Sequence, residues 1–237
     1  MERERRIHLR PRLAAAARLV GTAHTLADIG CDHGRLSVSL LQSNAVSHII
    51  ASDISAASLE KARQLAAYVG VSDRMQTRCA GGMSALAENE ADALAICGMG
   101  GMLISSILQE AVVPLMGAKK AVFQPMRGIE ELRSYLFREG YRVTEDVIVY
   151  DAGRYYQVFT VVPGQDALPA GWPEGFYGLG PCAMGEDLFL PLSQQLLEQL
   201  EVRLVTAKGT RGEAGLQKTV QDIRRVLQLR KECGYGA

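Results

Sequence analysis

An open α/β sheet with helices on both faces is the fold class this chain predicts, and three observations carry the prediction. Short apolar runs alternate with amphipathic helical stretches from residue 25 to residue 140. The runs end in glycine-rich turns, at Gly30–Gly34, Gly81-Gly82 and Gly98–Gly101. After Gly140 the alternation stops and two β-rich runs follow each other with no helix between them. Alternating βα units build a parallel, doubly wound sheet, and the last two runs predict an antiparallel hairpin on its edge.

The elements follow in order. Residues 5–20 predict a helix with Leu9, Leu13, Ala16, Ala17 and Val20 on one side and arginines on the other, with Pro11 in its first turn. Leu26, Ala27 and Ile29 suit a buried parallel strand, and Leu36, Val38, Leu40 and Leu41 restart a helical pattern. The second strand runs over 48–53, and Ser55 caps a helix that Gly70 stops. A third strand over 75–79, a fourth over 91–97 with a helix over 102–115, and a fifth over 120–124 with a helix to Gly140 complete the series. Residues 141–150 and 155–162 form the expected hairpin.

From residue 163 to residue 181 the composition shifts to Pro, Gly and aromatics, and two amphipathic stretches then carry Leu192, Leu196, Leu200 and Leu204, and Leu216, Val220, Ile223 and Leu227. The expected organisation is a domain over 1–163, a linker over 164–185 and a C-terminal helical hairpin over 186–237.

Bulk composition excludes more than it assigns. At 237 residues, 48% hydrophobic, 22% charged and net charge zero, the chain has no global basic signature. Charge is uneven, however: residues 1–20 hold arginines 3, 5, 6, 10, 12 and 18 against Glu2 and Glu4, and residues 208–231 hold seven cations against Glu213 and Asp222. The five cysteines are widely spaced and include no C-x-x-C pair, which speaks against a disulfide framework or a structural zinc site and for a cytoplasmic location. The Arg-rich opening is followed by no apolar h-region of a secretory signal, and no apolar run reaches the ~18 residues that span a bilayer.

Chemistry concentrates in the first loop. Asp28-x-Gly30-x-Asp32-x-Gly34 lacks the third glycine of the dinucleotide fingerprint, and two carboxylates repel a pyrophosphate. They suit a cofactor with positive charge, and a sulfonium bearing an α-amino group, S-adenosylmethionine, is such a molecule. Asp53 ends the second strand, where an acidic residue can take the hydroxyls of a ribose. An NAD-dependent oxidoreductase shares the sheet and Asp53 but not the acidic loop. A non-catalytic RNA-binding or regulatory protein on the same fold, and a methyltransferase for another substrate, stay open.

Four segments, Asp28-Ile29-Gly30-Cys31-Asp32-His33-Gly34, Ile96-Cys97-Gly98-Met99-Gly100-Gly101, Gln124-Pro125-Met126 and Gly153-Arg154-Tyr155-Tyr156, resemble the motif series of the bacterial tRNA (adenine(22)-N(1))-methyltransferases. The resemblance covers nearly the whole chain. It implies a class I S-adenosylmethionine-dependent methyltransferase with a Rossmann-like sheet, and a C-terminal helical pair that helps hold tRNA. By position it implies that Asp28, Gly30, Cys31, Asp32 and Gly34 hold the methionine part of the cofactor, Asp53 and Ile54 the ribose region, Gly81 and Gly82 the adenine edge, and Gly98 with Met99 the floor near the methyl group. Gly100, Gln124 and Pro125 are expected to meet the target adenine, and Tyr156 to offer it an aromatic face. Met126 stands where the family carries Asn, and Ala80-Gly81-Gly82 where a more polar residue is usual. No N-P-P-Y or D-P-P-Y run follows the fourth strand, which sets the chain apart from enzymes that methylate exocyclic amines.

N1 of adenine already carries a lone pair, so in-line positioning against the methyl donor is the main requirement. The product base is a cation, which makes Asp32 the first candidate catalytic carboxylate and His33 the second. A target inside folded tRNA has to be turned out of its stack. The two basic segments then become candidate phosphate contacts. No metal is expected.

Overall fold

The computed structural model describes residues 6–235, so Arg3 and Arg5 of the basic N-terminal segment lie outside the described residues. Two compact units divide the chain, Met1–Asp166 and Ala167–Ala237.

The first unit is built on a seven-stranded sheet. Its strands are β1 (Ala23–Ile29), β2 (Val46–Asp53), β3 (Met75–Cys79), β4 (Ala93–Cys97), β5 (Lys120–Gln124), β6 (Tyr141–Asp151) and β7 (Arg154–Pro163). Their order across the sheet is β3-β2-β1-β4-β5-β7-β6. β1 to β5 are parallel, and β7 and β6 add antiparallel to β5. The strand order reverses between β1 and β4, and there the crossover helices diverge to opposite faces and leave a crevice at the carboxyl ends. Register brings those ends level: Ile29 pairs with Ser52 and with Ile96, Asp53 with Cys79, and Cys97 with Gln124.

Strands buried on both faces must be apolar on both. Ala27, Ile29, Ile96 and Phe123 pack toward α4 (Gly101–Gln109) and α5 (Ile129–Arg138) through Ile104 and Leu132. Leu26, Ile49 and Val122 pack on the opposite side with Ala16, Leu41 and Leu59 of α1 (Pro11–Val20), α2 (Arg35–Gln42) and α3 (Ala56–Val69). Ser55 caps α3 by accepting from the Ser58 amide, and Gly70 ends it in the left-handed region, as the sequence predicts. Buried Arg133 holds α5 to the edge hairpin, donating to Asp146 at 2.7 Å and Gln157 at 3.1 Å with its guanidinium over the Phe159 ring.

Three element boundaries differ from expectation. α1 starts at Pro11 rather than residue 5, because proline lacks the amide that a helix interior requires but fits the first turn. α4 stops at Gln109; Pro114 opens a separate short turn in which Leu115 and Met116 take left-handed φ values of 51° and 50°. β4 starts at Ala93, two residues into its apolar run.

The second unit contains α6 (Phe189–Ala207) and α7 (Glu213–Glu232). Residues expected as a linker belong to it: Trp172, Phe176 and Leu179 are buried, and the Trp172 indole donates to the Phe176 carbonyl at 3.1 Å. The buried stripe of α7 is Val220, Ile223, Val226 and Leu229, which passes Val226 and Leu229 where the expected stripe took Leu227. Among the described residues no helix is long and apolar enough to cross a membrane, and no His, Cys, Asp and Glu side chains group in a way that holds a metal ion.

Candidate active site

The first loop is set by backbone geometry. The Gly30 and Cys31 amides both donate to the Ser52 carbonyl, at 2.8 and 2.9 Å, so the chain turns sharply off β1 while still held to β2. Gly30 takes φ 70°, and a β-carbon there would lie 2.0 Å from the Met99 methyl group. The turn ends at Gly34, φ 67°, where a β-carbon would lie 2.8 Å from that of Ala62. Gly34 thus lets α2 approach α3 closely. Asp53 locks the loop to β2: one carboxylate oxygen accepts the Asp32 amide at 3.0 Å and the other the Ser55 amide at 2.8 Å. Each oxygen keeps a further lone pair for a ligand donor.

The two carboxylates at the ends of this loop differ in character. Asp28 is buried and accepts the Ser37 hydroxyl at 2.6 Å; burial raises its carboxyl pKa to about 6, against the opposing effect of the Ser37 bond. Asp32 is exposed on the rim, 3.5 Å from the His33 ring, whose Nε2 in turn lies 3.3 Å from Lys61 Nζ. Burial and the neighbouring carboxylates push the Cys31 thiol well above its ordinary range, and burial does the same to Cys97, so both are neutral thiols and poor nucleophiles.

The loops after β4 and β5 are stitched together by their own backbones. Gly98 N–H donates to the Gln124 carbonyl at 3.0 Å, Met126 to Met99 at 2.8 Å and Gly101 to Arg127 at 2.8 Å. A β-carbon on Gly101 would lie 1.8 Å from the Gly128 carbonyl oxygen, so only glycine lets α4 and the start of α5 meet this way. Gln124 is fully buried. Its amide oxygen accepts from Arg12 at 2.9 Å, and its nitrogen donates to the Pro125 carbonyl at 3.0 Å. Arg12 Nε lies 3.6 Å from Asp151, which ties α1 to the far ends of β5 and β6.

These ends enclose a cavity of about 760 Å³. Of the residues expected at the site, Asp28, Gly30, Cys31, Asp32, His33, Asp53, Ile54, Gly81, Gly82, Gly98 and Met99 line it. Gly34, Gly100, Gln124, Pro125 and Tyr156 are outside its lining. Gly34 and Gln124 shape it from behind, by helix packing and through Arg12. Tyr156 is a buried β7 residue opposite Val149; the hairpin aromatics that meet at its turn are Tyr150 and Tyr155, with ring centroids 4.9 Å apart. Arg12 reaches the lining although its sequence context suggests a phosphate contact, and Leu103, Ile107 and Glu110 line it without any sequence motif to flag them. Their common signal is the inward stripe of a helix, which does not distinguish core from cavity wall.

An open sheet with its crevice at the β1/β4 switch point, glycine turns on the rim and acidic residues after β1 and β2 is the class I methyltransferase fold. Residues 9–159 match the model of a methyltransferase-domain family, and the chain belongs to that family. Among curated proteins it is similar to the tRNA (adenine(22)-N(1))-methyltransferase of Bacillus subtilis, 29% identical over 158 residues, which span 67% of this chain and 66% of that relative. Among solved structures, a Rossmann-superfamily protein from Streptococcus agalactiae superposes with a TM-score of 0.85 at 27% identity, covering 95% of this chain and all of the other. A proposed tRNA (m1A22) methyltransferase of Streptococcus pneumoniae, in complex with S-adenosyl-L-methionine, superposes with a TM-score of 0.80 at 27% identity, covering 91% and 98% of the two chains.

Proposed function

We propose that this chain transfers a methyl group from S-adenosylmethionine to N1 of an adenine in tRNA, at position 22. The observation that carries the reading is the cavity itself: about 760 Å³ at the switch point, with buried Asp28 at one end and Asp53 at the end of β2. That volume suits a ligand of this size, and Gly30 and Gly98 leave room for backbone to approach it. When bound, S-adenosylmethionine supplies an electrophilic methyl group on a positively charged sulfur. The similarity to the Bacillus subtilis enzyme supports the choice of tRNA and of adenine N1.

In this reading Asp28 offers a carboxylate to the cationic amino-acid end, and Asp53 accepts from ribose hydroxyls with the lone pairs left by the Asp32 and Ser55 amides. Asp32 stands exposed on the rim, where its carboxylate balances the positive charge that develops on the methylated adenine or takes up its N6 proton. His33, between Asp32 and Lys61, orients that carboxylate. Arg12 fixes the Gln124 amide and with it the Gln124-Pro125-Met126 turn beside the target base. The arginines outside the cavity and the basic face of α7 are the phosphate contacts, so tRNA binding weakens steeply with salt.

Incubating the protein with bulk unmodified tRNA and labelled S-adenosylmethionine, and mapping the modified base, tests this directly. N1-methyladenine at position 22 is expected, and label at another base or on no RNA overturns the assignment. Asp32→Asn is expected to keep the fold and lose most of the turnover.

A further inference from the structure

The loop after β3 lines the cavity with Ala80, Gly81, Gly82 and Ser84, and the Ser84 hydroxyl is turned back onto the Gly81 carbonyl, to which it donates at 2.5 Å. A carboxylate nevertheless stands against this loop, supplied by α4. A β-carbon on Gly82, φ 55°, would lie 2.5 Å from Glu110 Oε2, so the Glu110 carboxylate rests directly over the glycine. Glu110 itself lines the cavity. The apolar neighbours of the glycine pair are Ile54, with Cγ2 3.2 Å from where a Gly81 β-carbon would be, and Ile107, with Cγ1 3.5 Å from that of Gly82. Ile54 is 81% exposed, an uncovered apolar side chain beside the ribose-binding Asp53.

Nothing in the protein's own stability accounts for that carboxylate. Glu110 is the C-cap residue of α4, the end of a helix that favours cations and disfavours anions. Among the described residues its side chain has no ion-pair or hydrogen-bond partner. An acceptor-only group beside exposed apolar surface matches the edge of a purine that carries an exocyclic amine.

We propose that Glu110 accepts the N6 amine of the cofactor's adenine and makes the site selective for adenine over hypoxanthine. The inference rests on the reading that this cavity takes S-adenosylmethionine. It assigns this contact to α4, since Ala80, Gly81 and Gly82 carry no polar side chain and Ser84 donates its hydroxyl to the Gly81 carbonyl. A hypoxanthine base presents an oxygen at C6, so a carboxylate facing that position meets a second acceptor in place of a donor, a mismatch that costs affinity rather than merely removing a bond.

Isothermal titration of wild type, Glu110→Ala and Glu110→Gln with S-adenosylhomocysteine and S-inosylhomocysteine tests it. Wild type is expected to prefer the adenine compound by about tenfold or more. Glu110→Ala is expected to bring the two affinities within about threefold, and Glu110→Gln, whose amide can donate to O6, to lie between or lower. Because Glu110 is exposed, both variants should keep the wild-type unfolding midpoint. Asp53→Asn serves as the contrast: it should weaken both ligands alike and leave the ratio standing. A Glu110→Ala variant that keeps the wild-type ratio overturns the role of Glu110 while leaving the cofactor assignment intact. A wild type that binds neither compound overturns the cofactor assignment, and this inference with it.

Discussion

The two halves of the cavity rim are made by different means. On the β1–β2 side the rim is made of side chains with charge: Asp28, Asp32 and Asp53, held by short local hydrogen bonds to Ser37, Ser55 and the loop amides. On the β4–β5 side it is made of backbone, with Gly98 and Gly101 bonded across to Gln124 and Arg127, and the cation that reaches the cavity lining there, Arg12, arrives from a helix 112 residues away in sequence from its partner Gln124. In the proposed function the first half selects a ligand by charge. The second fixes how closely two loops and two helices approach, and so the space left for a base.

The largest effect should come from the backbone half. Gly101→Ala puts a carbon 1.8 Å from a carbonyl oxygen that belongs to another helix start, and the loss of stability is expected to be about 3 kcal/mol by urea unfolding. Gly34→Ala, on the charged half, meets a methyl group at 2.8 Å with φ 67° and should lose less, about 2 kcal/mol. If the order of the two is reversed, the contrast between the halves is wrong.

On the charged half the effect should be one of pH. The Asp28 carboxyl titrates at about 6 in the folded protein against 3.8 ordinarily, so folding favours its protonated form. That contribution is whole below pH 3.8 and is lost as pH rises through 6, a swing of roughly 3 kcal/mol at most. Asp28→Asn should therefore flatten the stability profile between pH 4 and 7 relative to wild type, as read by thermal unfolding across that range. A profile that stays unchanged would mean that Asp28 is solvated rather than desolvated.

Arg12→Ala leaves the Asp151 carboxylate buried without its cation and the Gln124 amide oxygen without its donor, and is expected to cost about 2 kcal/mol in urea unfolding. The smallest effect belongs to the brace behind the β3 loop, where Arg78 donates to the Ala85 carbonyl at 2.7 Å and to Glu90 at 2.6 Å. Arg78 holds the Glu90 carboxyl down at about 2, so this pair stabilises the fold above pH 4.5 and its contribution fades as pH falls toward 2. Both groups are partly exposed, and Glu90→Gln should cost about 1 kcal/mol at neutral pH and only a small part of that at pH 2.

The same contrast decides what could be read from the sequence. The charged half was legible because its residues sit at fixed offsets in one loop: Asp28, Gly30, Asp32 and Gly34 announce both a turn and its charge, and Asp53 closes the next strand. The helix stops at Gly70 and Gly140 and the edge hairpin were legible for the same local reason. Arg12 and Glu110 were not, since each lies on a helix whose pattern is ordinary and becomes part of a cavity only when the sheet brings distant strand ends level. Tyr156 shows the converse. Its place in an aromatic pair suggested a stacking face, but alternation along β7 turns it into the core and leaves Tyr155 outward, beside Tyr150.

Asp32 holds φ 51°, a left-handed conformation in which glycine is relaxed and which, among residues with a β-carbon, Asp and Asn tolerate best. Glycine at this position would serve the turn better, and the chain has glycine two residues away on either side. If the exposed carboxylate serves methyl transfer as proposed, Asp32→Gly is expected to raise the unfolding midpoint and lose turnover, whereas a variant that keeps its turnover would show that the acid is dispensable at the mouth of the cavity.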